Sequence, residues 1–296
     1  MTLKNRLLKR QYAVAVAERN QNREITELDY KVIKNGLNYW VADPFPIEKD
    51  NTLYIFGEIF QYTKNKGSIG YTKLENGRFS PWKIVIEEDY HLSFPNIIEE
   101  NGQIYIYPEA NESNSIYRYK CVQFPDRWIK DKIIVSDGTY VDTVFYKRDG
   151  VDYGITFDIK DDKGKLRLFK YDDNGCDFGV DIEYADPDFS RPAGKIYSDK
   201  GQDILPTQIG VPTYGAGLVL NKFQIEWPEM ELDPICKLFP KDFKFDINRE
   251  YVGIHTLNFT EHYVVVDVKW YGFNMINNVF KIIRKAFRNI TSNAKR

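Results

Sequence analysis

Five times along this chain an apolar-rich run meets a tight-turn dipeptide and is followed by a second run rich in Tyr, Ile and Val. The paired runs span Asp43–Glu58, Phe94–Glu109, Thr143–Asp158, Pro192–Thr207 and His255–Asp267. They turn at Asp50-Asn51, Asn101-Gly102, Asp149-Gly150, Lys200-Gly201 and Glu261-His262. Strand-like runs on both sides of a Gly, Asn or Asp turn mark a β-hairpin, because such turns need positive φ. The turn markers Asn51, Asn101, Asp149, Lys200 and Glu261 lie 50, 48, 51 and 61 residues apart. A repeat of roughly 50 residues is the length of a propeller blade. The longer fourth interval contains an insertion, Glu226–Glu250, with Pro228, Pro234 and Pro240.

Further strand-like runs at Ser68–Leu74, Ile116–Val122, Leu166–Tyr171 and Gly215–Leu220 supply outer strands. The pattern therefore predicts an all-β fold, a five-bladed β-propeller over residues 11–272. The remote run Gln11–Ala17 is predicted to complete the last blade, closing the ring so that no strand edge is left open. From residue 273 the period changes. Ile276, Val279, Phe280, Ile283, Phe287 and Ile290 recur at helical spacing, with Lys281, Arg284, Lys285 and Arg288 between them. That predicts a basic amphipathic helix over Asn274–Ile290, within a C-terminal segment 273–296.

Aromatic residues make up 15% of the chain, which suits half-buried strands and ring contacts to sugars. A net charge of −2 excludes general attraction to nucleic acid. The cysteines, Cys121, Cys176 and Cys236, are odd in number and far apart, which argues against a disulfide framework or a zinc site and for a reducing compartment. The first twenty residues lack the apolar core of a signal peptide, and no run approaches the ~18 apolar residues of a membrane span. The expectation is a cytoplasmic protein, peripheral on the inner face of the membrane through Asn274–Ile290. Docking of that helix on the propeller's own flank is the competing reading. Lys4, Arg6, Lys9 and Arg10 add charge of the same sign.

A hairpin returns its chain to the end where it began. If the five hairpins are inner blade strands, Asp43 and Glu58, Ser93 and Glu109, Asp142 and Asp158, Arg191 and Gln208, and His255 and Asp267 ring one axial mouth. That gathers six carboxylates with one Arg and one His. Crowded carboxylates drive each other's proton affinities apart, which is how acid and base roles are divided in glycosyl chemistry. Asp43, Glu109 and Asp142 are the candidate catalytic residues. Trp40, Glu58, His91, Ser93, Asp158, Arg191, Gln208, His255 and Asp267 are candidates for substrate binding. Arg191 reads either as a clamp for a substrate phosphate or carboxylate or as a counterion to the acids. Asp43 before Pro44 also reads as a turn-starting residue, Asp158 and Asp267 as links between blades, and His91 as packing. No cofactor is called for, and a single divalent cation in the acidic funnel is compatible with these residues. Phosphate-binding glycine loops, His-Glu-x-x-His, Cys-x-x-Cys and Gly-x-Ser-x-Gly are absent, which argues against a Rossmann enzyme, a zinc protease and an α/β-hydrolase.

Five motifs occur in one order: Trp40-Val41-Ala42-Asp43-Pro44-Phe45; Leu92-Ser93-Phe94-Pro95 with Pro108-Glu109; Val141-Asp142-Thr143; Arg191-Pro192-Ala193-Gly194; and Gly253-Ile254-His255-Thr256. Over roughly Tyr12 to Asp267 the set resembles the N-terminal propeller domain of plant glucosamine inositolphosphorylceramide transferases and related bacterial polysaccharide-biosynthesis proteins. That domain is similar in turn to the five-bladed family 43 and family 32 glycosidases. The resemblance implies a base or nucleophile aspartate at Asp43. In those glycosidases a second aspartate precedes the glutamate acid. Here Glu109 precedes Asp142, so the hydrolytic assignment does not transfer directly. The expected function is a glycosyltransferase of surface polysaccharide or glycolipid synthesis, with an activated sugar donor and a glycan or lipid-linked acceptor as partners. A glycoside hydrolase and a non-catalytic glycan-binding module are the alternatives.

Overall fold

A computed structural model describes residues 8–160, 164–183 and 191–273. It contains five sheets, one per predicted hairpin, antiparallel except for a short parallel pair at the outer edge of the fifth. The first blade opens with Tyr39–Lys49 and Thr52–Gln61, the second with Ser93–Glu100 and Gln103–Glu109, and the third with Tyr140–Arg148 and Val151–Asp158. The fourth is built on Tyr197–Asp199 and Gln202–Ile209. The fifth is built on Leu257–Phe259 and Tyr263–Phe273.

The turn chemistry is as the sequence predicts in the first four blades. Asp50 and Asn51, Asn101 and Gly102, Asp149 and Gly150, and Lys200 and Gly201 all have positive φ. The fifth turn differs, with the Thr260 N–H donating to the Tyr263 carbonyl across Glu261-His262. The four predicted outer strands are present as Lys66–Glu75, Ser115–Gln123, Lys165–Tyr171 and Gly217–Glu226. The insertion 226–250 adds two pieces of sheet: Glu229–Leu238 is the outer strand of the fourth blade, and Lys244–Phe245 pairs with Asp29–Val32 on the fifth.

Ring closure is complete along one strand. Leu8–Glu18 pairs antiparallel with Tyr263–Phe273 from Leu8 opposite Phe273 to Glu18 opposite Tyr263. An N-terminal strand inserted beside a C-terminal one leaves neither edge free at that seam. The high aromatic content is used between blades. Phe45 meets Phe94, Tyr107 meets Phe145, Tyr146 meets Phe223, Tyr197 meets Phe259, and Tyr12 meets Trp40, with ring centroids 4.1–5.8 Å apart. Each such pair contributes roughly 0.5–1.5 kcal/mol beyond its buried area. Buried Asn258 joins three blades, donating to the Pro44 carbonyl at 2.9 Å and accepting from the Lys195 N–H at 2.8 Å. The three cysteines are free. The predicted helix Asn274–Ile290 lies outside the described residues. Among the described residues no helix is long and apolar enough to cross a membrane.

Candidate active site

Three blades repeat one irregularity at the axial end. Pairing skips from Ala42 to Phe45, from Ser93 to Asn96 and from Val141 to Val144. Two residues thereby face one on the partner strand, which is a β-bulge. The first bulged residue is Asp43, Phe94 or Asp142, each with φ between 43° and 51°. Left-handed backbone at a non-glycine residue is strained and persists only where its surroundings hold it. Here it turns two carboxylates off their strands toward the axis, while Phe94 goes into the core against Phe45.

The strand ends enclose a funnel of about 870 Å³. Nine predicted residues line it: Trp40, Asp43, Glu58, His91, Ser93, Glu109, Asp142, Arg191 and His255. Gln208 and Asp267 stand behind the wall and bond to residues in it. Asp158 is displaced. Glu58 pairs with Ala42 and Glu109 with Ser93, but the residue opposite Val141 is Phe157, so Asp158 sits one step further along. A slip of one residue turns a side chain to the other face. Asp158 therefore pairs with Arg167 at 3.3 Å and caps the Lys160 N–H at 3.0 Å. Such partly exposed pairs contribute about 0–1 kcal/mol. Asp158→Asn is expected to cost less than about 1 kcal/mol in urea unfolding and to leave turnover within about twofold.

Two linked clusters occupy the floor. In the first, Asp267 is fully buried. Its Oδ1 accepts the N–H groups of His255 and Thr256 at 2.9 and 3.1 Å, and its Oδ2 accepts the Asp43 N–H at 3.2 Å and the His255 Nδ1 proton. Burial opposes ionisation, but the His255 charge and these bonds outweigh it, so Asp267 titrates below the usual carboxylate range. Burial likewise works against the His255 charge, and Asp267, Asp43 and Asp142 reverse it, raising His255 to about 9. Asp43 stands beyond, 3.8 Å from His255 Nε2, and accepts the Thr256 hydroxyl at 3.0 Å and the Phe94 N–H at 3.2 Å. Burial, with Glu58, Asp267 and Asp142 adding repulsion against the opposing pull of His255, pushes Asp43 up to about 7. The result is an aspartate poised to take a proton near neutral pH.

In the second cluster, Glu109 Oε2 accepts the Asp142 N–H at 3.1 Å, and the two side chains are also in hydrogen-bond contact. Burial and the Asp142 charge raise Glu109 well above its usual range, although Arg191 pulls it down. Asp142 Oδ2 accepts Gln208 Nε2 at 3.0 Å and Arg191 Nη1 at 3.4 Å. These surroundings favour the protonated form of Glu109. Arg191 also lies over the Tyr214 ring at 5.1 Å, so its guanidinium is held from two sides.

The wall was partly missed in the sequence. Tyr12, Phe60 and Tyr214 also line the funnel, with Lys9, Arg10, Lys64 and Asn65 at its rim, so the mouth is of mixed charge. Phe60 was within reach, since it lies two residues beyond Glu58 on the same strand face. Trp40 and Phe60 stack at 4.7 Å and 3°, and Tyr12 continues the wall to His255 at 5.0 Å. His91 Nδ1 accepts the Gly67 N–H at 3.0 Å, which directs Nε2 at Glu58, 3.2 Å away. The ligand atoms of Asp43, His255 and Asp267 lie within 4.8 Å of one another. The Asp267 oxygens are already used by three N–H groups and the imidazole. A cation could take only Asp43 and His255 Nε2 without dismantling that network.

His255 gives a pH-dependent stability. Its folded pKa near 9 against an unfolded value near 6.5 stabilises the fold fully below pH 6.5, and that contribution drains away as pH rises toward 9. Lys195 and Lys269, both lowered to about 8 by burial, act in the opposite direction above pH 8. The expected result is a fall in Tm between pH 6.5 and 8, measured by thermal unfolding, that shrinks in His255→Gln.

With the site in view, its relatives can be placed. Residues 29–167 match the family described as glucosamine inositolphosphorylceramide transferase 1, N-terminal. This stretch contains the Asp43, Glu109 and Asp142 motifs. The Arabidopsis thaliana glucosamine inositolphosphorylceramide transferase 1 is 35% identical over 114 residues, which is 38% of this chain and 15% of that protein. Its Oryza sativa subsp. indica counterpart is 30% identical over 116 residues, with the same coverage. The chain therefore matches a small part of these longer relatives. Among solved structures, the α-L-arabinofuranosidase of Podospora anserina superposes with a TM-score of 0.57 at 10% identity, covering 86% of this chain and 94% of that one. Arabinanase Arb43A of Bacillus subtilis gives 0.52 at 12% identity, covering 79% and 95%. At such identities these structures establish the five-bladed glycosidase-type fold alone.

Proposed function

We propose that this chain is a carbohydrate-active enzyme that transfers a glycosyl group on the funnel floor to a glycan or lipid-linked acceptor. The observation that carries the proposal is the convergence of Asp43, Glu109 and Asp142 on one funnel floor, where burial pushes Asp43 up to about 7 and burial with the Asp142 charge raises Glu109 well above its usual range. Asp43 is the base that takes the acceptor hydroxyl proton as the glycosidic bond forms. Glu109 is the acid that supports the departing oxygen. Asp142, fixed by Arg191 and Gln208, faces the positive charge that develops on the sugar. Trp40, Phe60 and Tyr12 offer an apolar wall for the sugar's C–H face. Trp40→Ala is expected to raise KM about tenfold with little change in kcat, because stacking on one ring face is worth roughly 1 kcal/mol or more. The name of the plant relatives, inositolphosphorylceramide transferases, supports a glycolipid acceptor.

The test is a mass-spectrometric screen of sugar nucleotides with glycan and glycolipid acceptors, using Asp43→Asn as control. A glycosylated acceptor that depends on Asp43 supports the reading, and binding without turnover contradicts it. One observation favours a second reading. A protonated Glu109 suits a glycosidic leaving oxygen better than a phosphate, which needs no proton to depart. Release of sugar from aryl glycosides in the absence of any nucleotide would establish hydrolysis instead.

A further inference from the structure

The funnel opens on one face, and one arc of that face differs from the rest. The strand Asp29–Val32 runs toward the funnel end, antiparallel to Leu8–Glu18, and its continuation lies against the top of that strand, where Asn35 Nδ2 donates to the Tyr12 carbonyl. Leu37 sits in this loop and is 81% exposed, flanked by exposed Gly36 and Asn38. The strand Tyr263–Phe273 ends at the same level, paired with Leu8–Arg10, and leaves Tyr271 47% and Phe273 62% exposed. Leu8, Arg249, Trp270, Tyr271 and Phe273 line a groove of about 610 Å³ on the outer side of that strand pair. On its inner side Arg10 borders the funnel, so one strand separates groove from funnel.

The charges on this arc are mostly of one sign. Arg10, Lys34 and Arg249 are exposed there, Arg249 with its guanidinium 4.3 Å from the Trp270 ring centre. Lys64, across the mouth, is paired with Glu87, and Glu250 is an exposed acid beside Arg249. Leu37 is notable for its company, since Tyr271 and Phe273 are exposed on the same arc. A loop-tip leucine, two terminal aromatics and three surrounding cations make up the chemistry that inserts into, and is held by, an anionic lipid interface.

We propose that this arc seats the propeller on an anionic lipid bilayer, with Leu37 and Tyr271 at acyl-boundary depth and the funnel mouth open to the headgroups. The charge complement selects lipid as the occupant, because cations set around exposed apolar side chains at one rim match an anionic headgroup layer over an acyl boundary. The surface is independent of the chemistry on the funnel floor, since its readout is binding alone.

The experiment is cosedimentation of the full chain with vesicles of phosphatidylcholine alone and with added phosphatidylserine. Partitioning is expected only with phosphatidylserine and is expected to weaken in high salt. Leu37→Ser combined with Tyr271→Ser is expected to lower the partition coefficient at least tenfold, and Lys34→Glu severalfold, with unchanged Tm and unchanged turnover of any soluble substrate. Absence of binding to both vesicle types would overturn the proposal. So would binding that survives these substitutions, which would assign lipid contact to residues 274–296 instead.

Discussion

Asp43→Asn is expected to lower kcat by about three orders of magnitude with KM nearly unchanged, the usual size of a general-base contribution. The substitution keeps the shape of the side chain. An amide can direct its oxygen at the Phe94 N–H and its NH2 at the Thr256 hydroxyl, which then accepts instead of donating. Folding is preserved while the proton acceptor is lost. The wild-type rate should rise through about pH 7 as Asp43 ionises. The rising limb should disappear in the residual activity of Asp43→Asn. Steady-state kinetics across pH on the substrate from the screen measures both effects. Equal kcat in the two proteins would remove Asp43 from the chemistry.

The largest effect on stability is expected at Asp267. Its carboxylate accepts three backbone N–H groups and the His255 ring with no exposure to solvent. Asp267→Asn places an NH2 against donors and removes the nearer of the two acids facing the imidazolium, leaving only Asp43 at 3.8 Å. Breaking a buried charge pair from one side costs roughly 3–5 kcal/mol. In a domain of this size Tm should then fall by on the order of 10 °C. His255 would lose its main source of charge stabilisation and its pKa would drop, and with the imidazolium charge gone Asp43 would be pushed further up. Thermal unfolding at pH 6 and a histidine titration by NMR would report both consequences. A Tm within about 2 °C of wild type would show that the network contributes little.

The blade count and the ring closure were legible because hairpin turns carry their chemistry locally: Asn101-Gly102 and Asp149-Gly150 can adopt the φ values such turns demand. The convergence of Asp43, Glu109 and Asp142 followed from chain reversal alone. Asp158 shows where that logic runs out. The three blades share one bulge and one register, in which Phe157 stands opposite Val141 as Glu58 stands opposite Ala42, so Asp158 lies one residue beyond the funnel position and faces the other way. Tyr12 and Tyr214 escaped because they reach the funnel from a remote strand and from a loop, and only tertiary pairing brings them there. Lys9 and Arg10 were visible as charges, but their position on the funnel rim depends on the pairing of Leu8–Glu18 with Tyr263–Phe273.

The central claim is that the acids gathered by the blade ends form a working sugar site. The most direct measurement is a structure of Glu109→Gln bound to the sugar substrate that the screen identifies. The account predicts a sugar ring against Trp40 and Phe60, with its reacting carbon between Asp43 and residue 109 and its polar groups within hydrogen-bond distance of Asp142 or Arg191. A sugar bound elsewhere on the propeller, with the funnel floor unchanged, would contradict it.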